Sequence, residues 1–346
     1  MRIVGIVLAL ICFCLLVLGH EFGHFSVGKL LGFKINEFSV GMGPRLWGSK
    51  KGETEYSFRA IPIGGYCAFE GEDGTEDEDK DGKKKEPDPG SFNLQPAWKR
   101  LLVLVAGSFN NIVIGIIIFT IVFTYVGSYS PVLSQVVEGM PAEKAGIQAG
   151  DRIVAVEGTD YSEWSEITAA IINSKDDTVN ITVLRDGERL SFDVDTYTNE
   201  YGNKAVGIMC SIVHDPGSSF KSALSECGTM VRALRDFFGR LFRGQARSED
   251  VGSVVQIIAV SGEYAENYGL ITVIELIALV SINLGFMNLL PIPGLDGGRI
   301  LFVIIRWITR GKVSEKAEGR INAVFMVLLI ALMVFLIFKD VIWLFK

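Results

Sequence analysis

Apolar residues gather along the chain into four long stretches with polar sequence between them. The first is Ile3–Leu18, and its helical pattern resumes after a polar interruption and runs to Leu31. The second, Leu101–Val126, is broken only by Ser108, Asn110, Asn111 and scattered Gly and Thr. The third, Ile271–Leu290, continues past a Pro/Gly break into Ile300–Ile308, and the fourth is Ile321–Phe345. A helix needs about 20 mostly apolar residues to cross a bilayer, so the second and fourth qualify alone. The first and third qualify only if polar groups are accommodated within the bilayer. A cleaved signal peptide is the other reading of the first stretch, but Gly19-His20-Glu21 follows it where a small-x-small cleavage site is needed. The pattern therefore predicts a polytopic α-helical membrane protein with four transmembrane helices.

Basic residues set the expected orientation. Lys29, Lys34, Arg45, Lys50, Lys51, Lys99 and Arg100 lie between the first two spans, and Arg306, Arg310, Lys312, Lys316 and Arg320 between the last two. Short loops rich in Lys and Arg stay in the cytoplasm, which places both termini outside and the polypeptide in the cell membrane. The run Glu70–Gly90 is acidic, with Lys83–Lys85 and two Pro, and reads as a solvated spacer.

Residues 128–215 predict a small β-rich module outside the membrane. Asp186-Gly187 sits between two alternating runs, Asn180–Arg185 and Glu188–Phe192, the signature of a hairpin with a type I′ turn. Short helices are expected at Pro141–Gly146 and Trp164–Ile172. Beyond the module, Phe220–Phe242 mixes apolar and basic residues and fits either a helix on the membrane surface or a further piece of the soluble fold. The predicted order is a first span over 1–31, a cytoplasmic region over 32–98 and a second span over 99–127. The module (128–215), a juxtamembrane segment (216–268), a broken third span (269–309) and a fourth span (318–345) complete it.

Composition agrees with this picture. Of 346 residues, 49% are hydrophobic and 21% charged, and the mean hydropathy is +0.34, so the two kinds are segregated along the chain. A net charge of −7 argues against nucleic acid as a partner. Five Cys, none in a C-x-x-C pair, exclude a disulfide scaffold and a cysteine-based metal site. Whether Cys210 and Cys227 pair is open.

The chemistry concentrates at the end of the first stretch. His20-Glu21-Phe22-Gly23-His24 is an H-E-x-x-H motif, holding two of the chain's three His. On a helix, positions i and i+4 share a face, so both imidazoles can bind one Zn²⁺ with Glu21 beside them as general base. Ionisable groups inside a membrane are expensive and mark function by default. Catalytic zinc takes three protein ligands and keeps one position open. His214 falls in the exported module, which leaves a carboxylate from another span. Asp296 stands at the Pro291/Pro293/Gly294 break of the third span, where irregular backbone is tolerated if it lines a cavity. Asp296 also fits as the N-cap of the helix that resumes there. Asn288 and Asn111 are candidates for holding a peptide, or for interhelical hydrogen bonds.

Together these residues resemble the site-2 protease family of intramembrane zinc metalloproteases, in its bacterial branch with an exported PDZ domain. His20-Glu-x-x-His24 matches the family's first motif. Asn288-x-x-Pro291-x-Pro293-x-Leu295-Asp296-Gly297 matches the third-span motif whose Asp is a zinc ligand. Gly41-Met42-Gly43-Pro44 with Leu46-Trp47 is similar to a G-F-G-P-x-L-W stretch. Ala106-Gly107-Ser108-x-x-Asn111 is similar to an A-G-P-x-x-N motif, with Ser108 where Pro is usual. Gly139–Ile153 is similar to the PDZ domains of these proteases. The resemblance implies one Zn²⁺ per chain, held by His20, His24 and Asp296 toward the cytoplasmic side, with Glu21 as the catalytic base. It implies single-span membrane protein substrates already shortened outside by a site-1 protease. It also implies a substrate-clamping β-region over Phe38–Gly43 and Thr54–Phe69, in which Gly41, Gly43, Gly64 and Gly65 contact or bend around the substrate. A non-catalytic PDZ-bearing scaffold and a metal transporter are the rival readings.

Overall fold

The computed structural model of the chain describes residues 1–72, 88–200, 202–245, 254–310 and 315–344. In chain order, α1 (Arg2–Leu30) leads into β1 (Ile35–Lys51) and β2 (Thr54–Phe69), then α2 (Ala97–Val126). Next come β3 (Ser128–Val136), α3 (Pro141–Ala145), β4 (Arg152–Val156), β5 (Thr159–Asp160) and α4 (Trp164–Ile172). They are followed by β6 (Thr178–Arg185), β7 (Glu188–Asp195), β8 (Tyr197–Thr198), β9 (Lys204–Ala205) and β10 (Ile208–Val213). The chain closes with α5 (Pro216–Phe242), α6 (Val254–Asn267), α7 (Leu270–Asn288), α8 (Asp296–Ile308) and α9 (Glu315–Leu344). Two compact units result: Met1–Ile118 with Thr229–Lys346, and Phe119–Gly228.

Among the described residues, four helices are long and apolar enough to cross a membrane: Arg2–Leu30, Ala97–Val126, Leu270–Asn288 and Glu318–Ile342. α1 runs unbroken through His20-Glu21, because it contains no Pro and its polar residues find partners on neighbouring elements, His20 and His24 on α2 and Glu21 on β2. α7 stops at Asn288 because Pro291 and Pro293 cannot donate the amides that another turn needs. Small residues bring the helices close, as in membrane bundles generally. Gly5 of α1 lies against Ser261, Gly262 and Ala265 of α6. α2 is flanked by α1 and α7: a Cβ on Gly285 of α7 would stand 2.7 Å from the Ser108 carbonyl, and Ser281 Oγ donates to the Asn111 carbonyl at 2.7 Å. Lys99 at the start of α2 donates to the Leu31 carbonyl at 2.9 Å and so closes the end of α1. α6 lies within the stretch read from sequence as a juxtamembrane segment. It packs on α1 in a cluster with Ala9, Leu16, Ala265, Val273 and Ile277.

The two strands after α1 form more than a hairpin. Residues 35–40 pair on one side with 65–69 and on the other with 55–58, while 45–51 pair back onto 54–59. The doubled ribbon is a small mixed sheet in the order 65–69, 35–40, 55–58, 45–51, with its two outer pairs antiparallel and the central pair, 35–40 with 55–58, running in the same direction. Gly41, Gly43 and Gly64 make the fold-back bends with φ of 87°, 85° and 86°, a region costly for other residues. Arg59 fastens the bend by donating to the Gly43 carbonyl at 2.8 Å. Strand β1 thus runs further than the expected Phe38–Gly43, because the segment after the bend finds its own partner in 54–59. Phe33, Ile35, Phe69, Phe92, Val103, Leu104 and Val303 make one buried cluster, which ties sheet, α2 and α8 together. The acidic run falls mostly outside the described residues. Its described ends are joined through Lys34, whose Nζ meets Glu70 at 2.6 Å and Asp88 at 3.0 Å.

In the second unit, a sheet in the order β10-β3-β4-β6-β7 packs against α4 around Ile153, Ile167, Ile181 and Val194. Asp186 and Gly187 join β6 to β7 with φ of 50° and 88°, as a type I′ turn requires. Cys210 and Cys227 are free thiols. Asp151, 1% exposed, is held by a two-pronged Arg185 at 2.7 Å on each oxygen, and it accepts the Gln148 amide at 2.9 Å. Burial opposes its ionisation, but the Arg185 hydrogen bonds outweigh that and hold its carboxyl below the usual carboxylate range. The carboxylate therefore stabilises the unit above about pH 4, and that contribution is lost as pH falls through the lowered value. Asp151→Asn is expected to cost about 1.5–3 kcal/mol at neutral pH. The difference from wild type should shrink in acid, as read by hydrogen exchange of β4 and β6 amides.

Candidate metal centre

His20 and His24 lie one helical turn apart on the buried face of α1, 8% and 7% exposed. Their rings meet edge to face with centroids 4.7 Å apart, and the two Nε2 atoms are 3.2 Å apart. Each ring is oriented from α2. His24 Nδ1 lies 2.8 Å from the Val103 carbonyl, which accepts its N–H and leaves the Nε2 lone pair facing inward. The Asn111 amide lies 3.5 Å from His20 Nδ1. With its oxygen turned to that nitrogen, Asn111 accepts the Nδ1–H and again leaves Nε2 free; the same turn gives a partner to Asn111 Oδ1, buried without one otherwise. Asn110 donates to the Gly19 carbonyl at 2.6 Å and fixes α2 along α1.

Asp296 is the first residue of α8, with Leu295 at the cap position, so its side chain is not used in capping. Its Oδ2 sits 3.1 Å from His20 Nε2 and 3.3 Å from His24 Nε2. The break before it is folded tightly. A Cβ on Gly297 would collide with the Leu290 and Leu289 carbonyls, and one on Gly298 with Ile292 and Pro293. Leu295-Asp296-Gly297-Gly298 is thus a turn that only glycine after the Asp allows. Ser108 Oγ adds a longer contact to Asp296 Oδ2, at 3.4 Å.

Among the described residues, His20, His24 and Asp296 are the group whose donor atoms converge on one point, all within 4.8 Å of one another. A tetrahedral ion with bonds of about 2.0–2.1 Å places its donors about 3.3 Å apart. The three separations of 3.1–3.3 Å fit that, and so does the donor set of two neutral imidazoles and one carboxylate. Zinc suits the site, with one coordination position left for water or substrate. A cavity of about 510 Å³ opens onto Asp296, lined also by Arg299, Arg306, Glu72 and Glu318; Arg299 pairs with Glu72 and Arg306 with Glu318.

Glu21 is brought to the last ribbon of the sheet. The Cys67 amide donates to its Oε2 at 3.0 Å, and a Cβ on Gly65 would lie 3.8 Å from its Cγ. Gly41, Gly43 and Gly64 lie at the fold-back bends, of which Gly64 directly precedes Gly65. Asn288 is the last residue of α7 and is partly buried. Two features had no sequence signal strong enough to assign. A Cβ on Gly107 would run into the His24 ring, and one on Gly23 would stand 2.5 Å from the Ala106 carbonyl. The unassigned "x" of the motif and a glycine of the second span are therefore what lets α2 reach His24.

Residues 8–332 match the model of peptidase family M50. A Clostridium acetobutylicum protein named "Putative zinc metalloprotease" is 34% identical over 347 residues, with 99% of each chain covered. A Clostridium perfringens protein of the same name is 35% identical over 341 residues, with 98% of each covered. Among solved structures, the PDZ domain of an SdrC-like protein from Listeria innocua covers 25% of this chain and 97% of its own, at 26% identity and a TM-score of 0.22.

Metal analysis of the purified chain is expected to give about one zinc. His24→Ala and Asp296→Ala should each remove most of it. Gly107→Ala, whose Cβ would collide with His24 Nε2 and push that donor out of place, should weaken zinc at least about 10-fold.

Proposed function

The chain belongs to peptidase family M50, and from that premise we propose that it is a zinc endopeptidase cutting single-span membrane proteins within the bilayer. The observation that carries this reading is the meeting of His20, His24 and Asp296 beside Glu21 on helices apolar enough to span a membrane. A scaffold has no need of a base at that place, and a transporter needs ligands spaced across the bilayer.

When bound, zinc supplies the Lewis acidity that polarises a carbonyl and acidifies water. Glu21 accepts the proton of the attacking water and passes it to the nitrogen of the departing peptide, so the peptide bond is exchanged for a carboxylate and an amine. Proteolysis needs an extended backbone, and an open sheet edge can hold one by strand addition. Gly65, at the start of the 65–69 ribbon that is flanked by 35–40 alone among the described strands, offers that edge beside Glu21. Asn288 at the end of α7 is a donor within the broken span for the same backbone.

In this reading the protein is a multi-pass plasma-membrane enzyme with both termini outside and its metal toward the cytoplasm, as the basic residues between the spans favour. The β-rich unit acts outside as a PDZ domain that limits access by size or tethers the outer end of a substrate. The substrates, of the anti-sigma factor or signal-peptide-remnant kind, arrive after a first cut by a site-1 protease.

The test compares wild type with Glu21→Gln in detergent, reading zinc content and cleavage of a tagged, truncated single-span substrate. Both should hold about one zinc per chain, and the variant should cut at least about 10²-fold more slowly. Zinc in both with cleavage by neither, across several truncated substrates, would favour the scaffold; metal flux into liposomes would favour the transporter.

A further inference from the structure

The edge ribbon closes itself at a defined place. The Cys67 N–H leaves the sheet on its open side and donates to Glu21 Oε2 at 3.0 Å. Two residues on, the Phe69 N–H donates to Glu72 Oε2 at 3.2 Å. In an antiparallel strand the backbone groups of alternate residues face the same side, so Gly65, Cys67 and Phe69 share the open edge. Two of these three amides are taken by carboxylates of the chain itself. Gly65 comes just before them and has no side chain; a Cβ there would lie 3.8 Å from Glu21 Cγ.

We propose that the Cys67 main-chain amide positions Glu21 and, by doing so, ends the substrate-accepting edge at Gly65, which sets where the substrate is cut. This rests on the peptidase reading and deepens it. A hydrogen bond to a carboxylate is roughly twice as strong as one to a neutral carbonyl, so an incoming peptide does not displace Glu21 from the amide. Substrate pairs with the ribbon as far as Gly65. Its next carbonyl finds no donor at Cys67, is left unpaired, and lies beside the one base in reach. Cys67 is thus a positioning residue that acts through its backbone; its thiol plays no part.

The test uses the full-length protein in detergent and two variants. Glu21→Ala should raise hydrogen exchange at the Cys67 amide at least about tenfold while amides of 36–40 keep their protection. Cys67→Pro removes the amide from the open side of an edge ribbon, where Pro is tolerated. It should keep its zinc and the protection of 36–40. With a tagged single-span substrate, its kcat should fall about 10–100-fold at unchanged KM, and mass spectrometry should find cuts spread over neighbouring bonds. Unchanged exchange in Glu21→Ala overturns the proposal, as does a Cys67→Pro protein that cuts the single wild-type bond. If wild type itself cuts nothing, the peptidase reading falls and takes the cut-position claim with it, while the exchange measurement still decides whether the amide holds Glu21.

Discussion

The structure depends on three polar donors meeting at one point among apolar helices. His20, His24 and Asp296 come from segments more than 270 residues apart in the chain, and each would be costly to bury alone. Their meeting asks for very close backbones, and glycine provides them. Gly23 and Gly107 let α2 come up to the His24 ring, and Gly297 and Gly298 let the broken span fold back so that Asp296 begins α8. Val103 and Asn111 then fix the two rings from α2, so that both Nε2 atoms face the same place. The cluster Phe33, Ile35, Phe69, Phe92, Val103, Leu104 and Val303 carries the sheet, α2 and α8 as one body and so holds the donors in register.

A second arrangement is built on the first. Because α1 places Glu21 next to the two His, whatever lies on that side of α1 becomes part of the site. That neighbour is the edge of a sheet which exists only because the ribbon doubles over at Gly41, Gly43 and Gly64. An unbent hairpin of the same length would be a long open ribbon with little to hold it. Doubled, it has four ribbons, pinned in the middle by Glu37, which accepts from Ser57, Arg59 and Tyr66.

The parts legible in the sequence are those set by local periodicity. The i, i+4 spacing of His20 and His24 follows from helix geometry alone, and the Pro/Gly break around Asp296 announces irregular backbone. The four apolar helices and the Asp186-Gly187 turn were legible for the same reason. The rest is decided between segments. The doubling of the sheet depends on pairings such as Glu37 with both Ala68 and Glu55, which no local pattern encodes. α6 is 14 residues long, too short to stand out as a span, and its place beside α1 comes from small residues meeting small residues. Gly107 and the Cys67 amide contribute to the site without a functional side chain, so a search for reactive residue types passes over both.

Everything proposed for this site turns on two imidazoles and one carboxylate holding a metal with a position left open. X-ray absorption at the zinc edge of the purified full-length chain tests it most directly. Two imidazole nitrogens at about 2.0–2.1 Å, with oxygen completing a four-coordinate shell and no sulfur, is the predicted result. A shell containing cysteine sulfur, or one that keeps both imidazoles in the Asp296→Ala protein at undiminished zinc content, would contradict it.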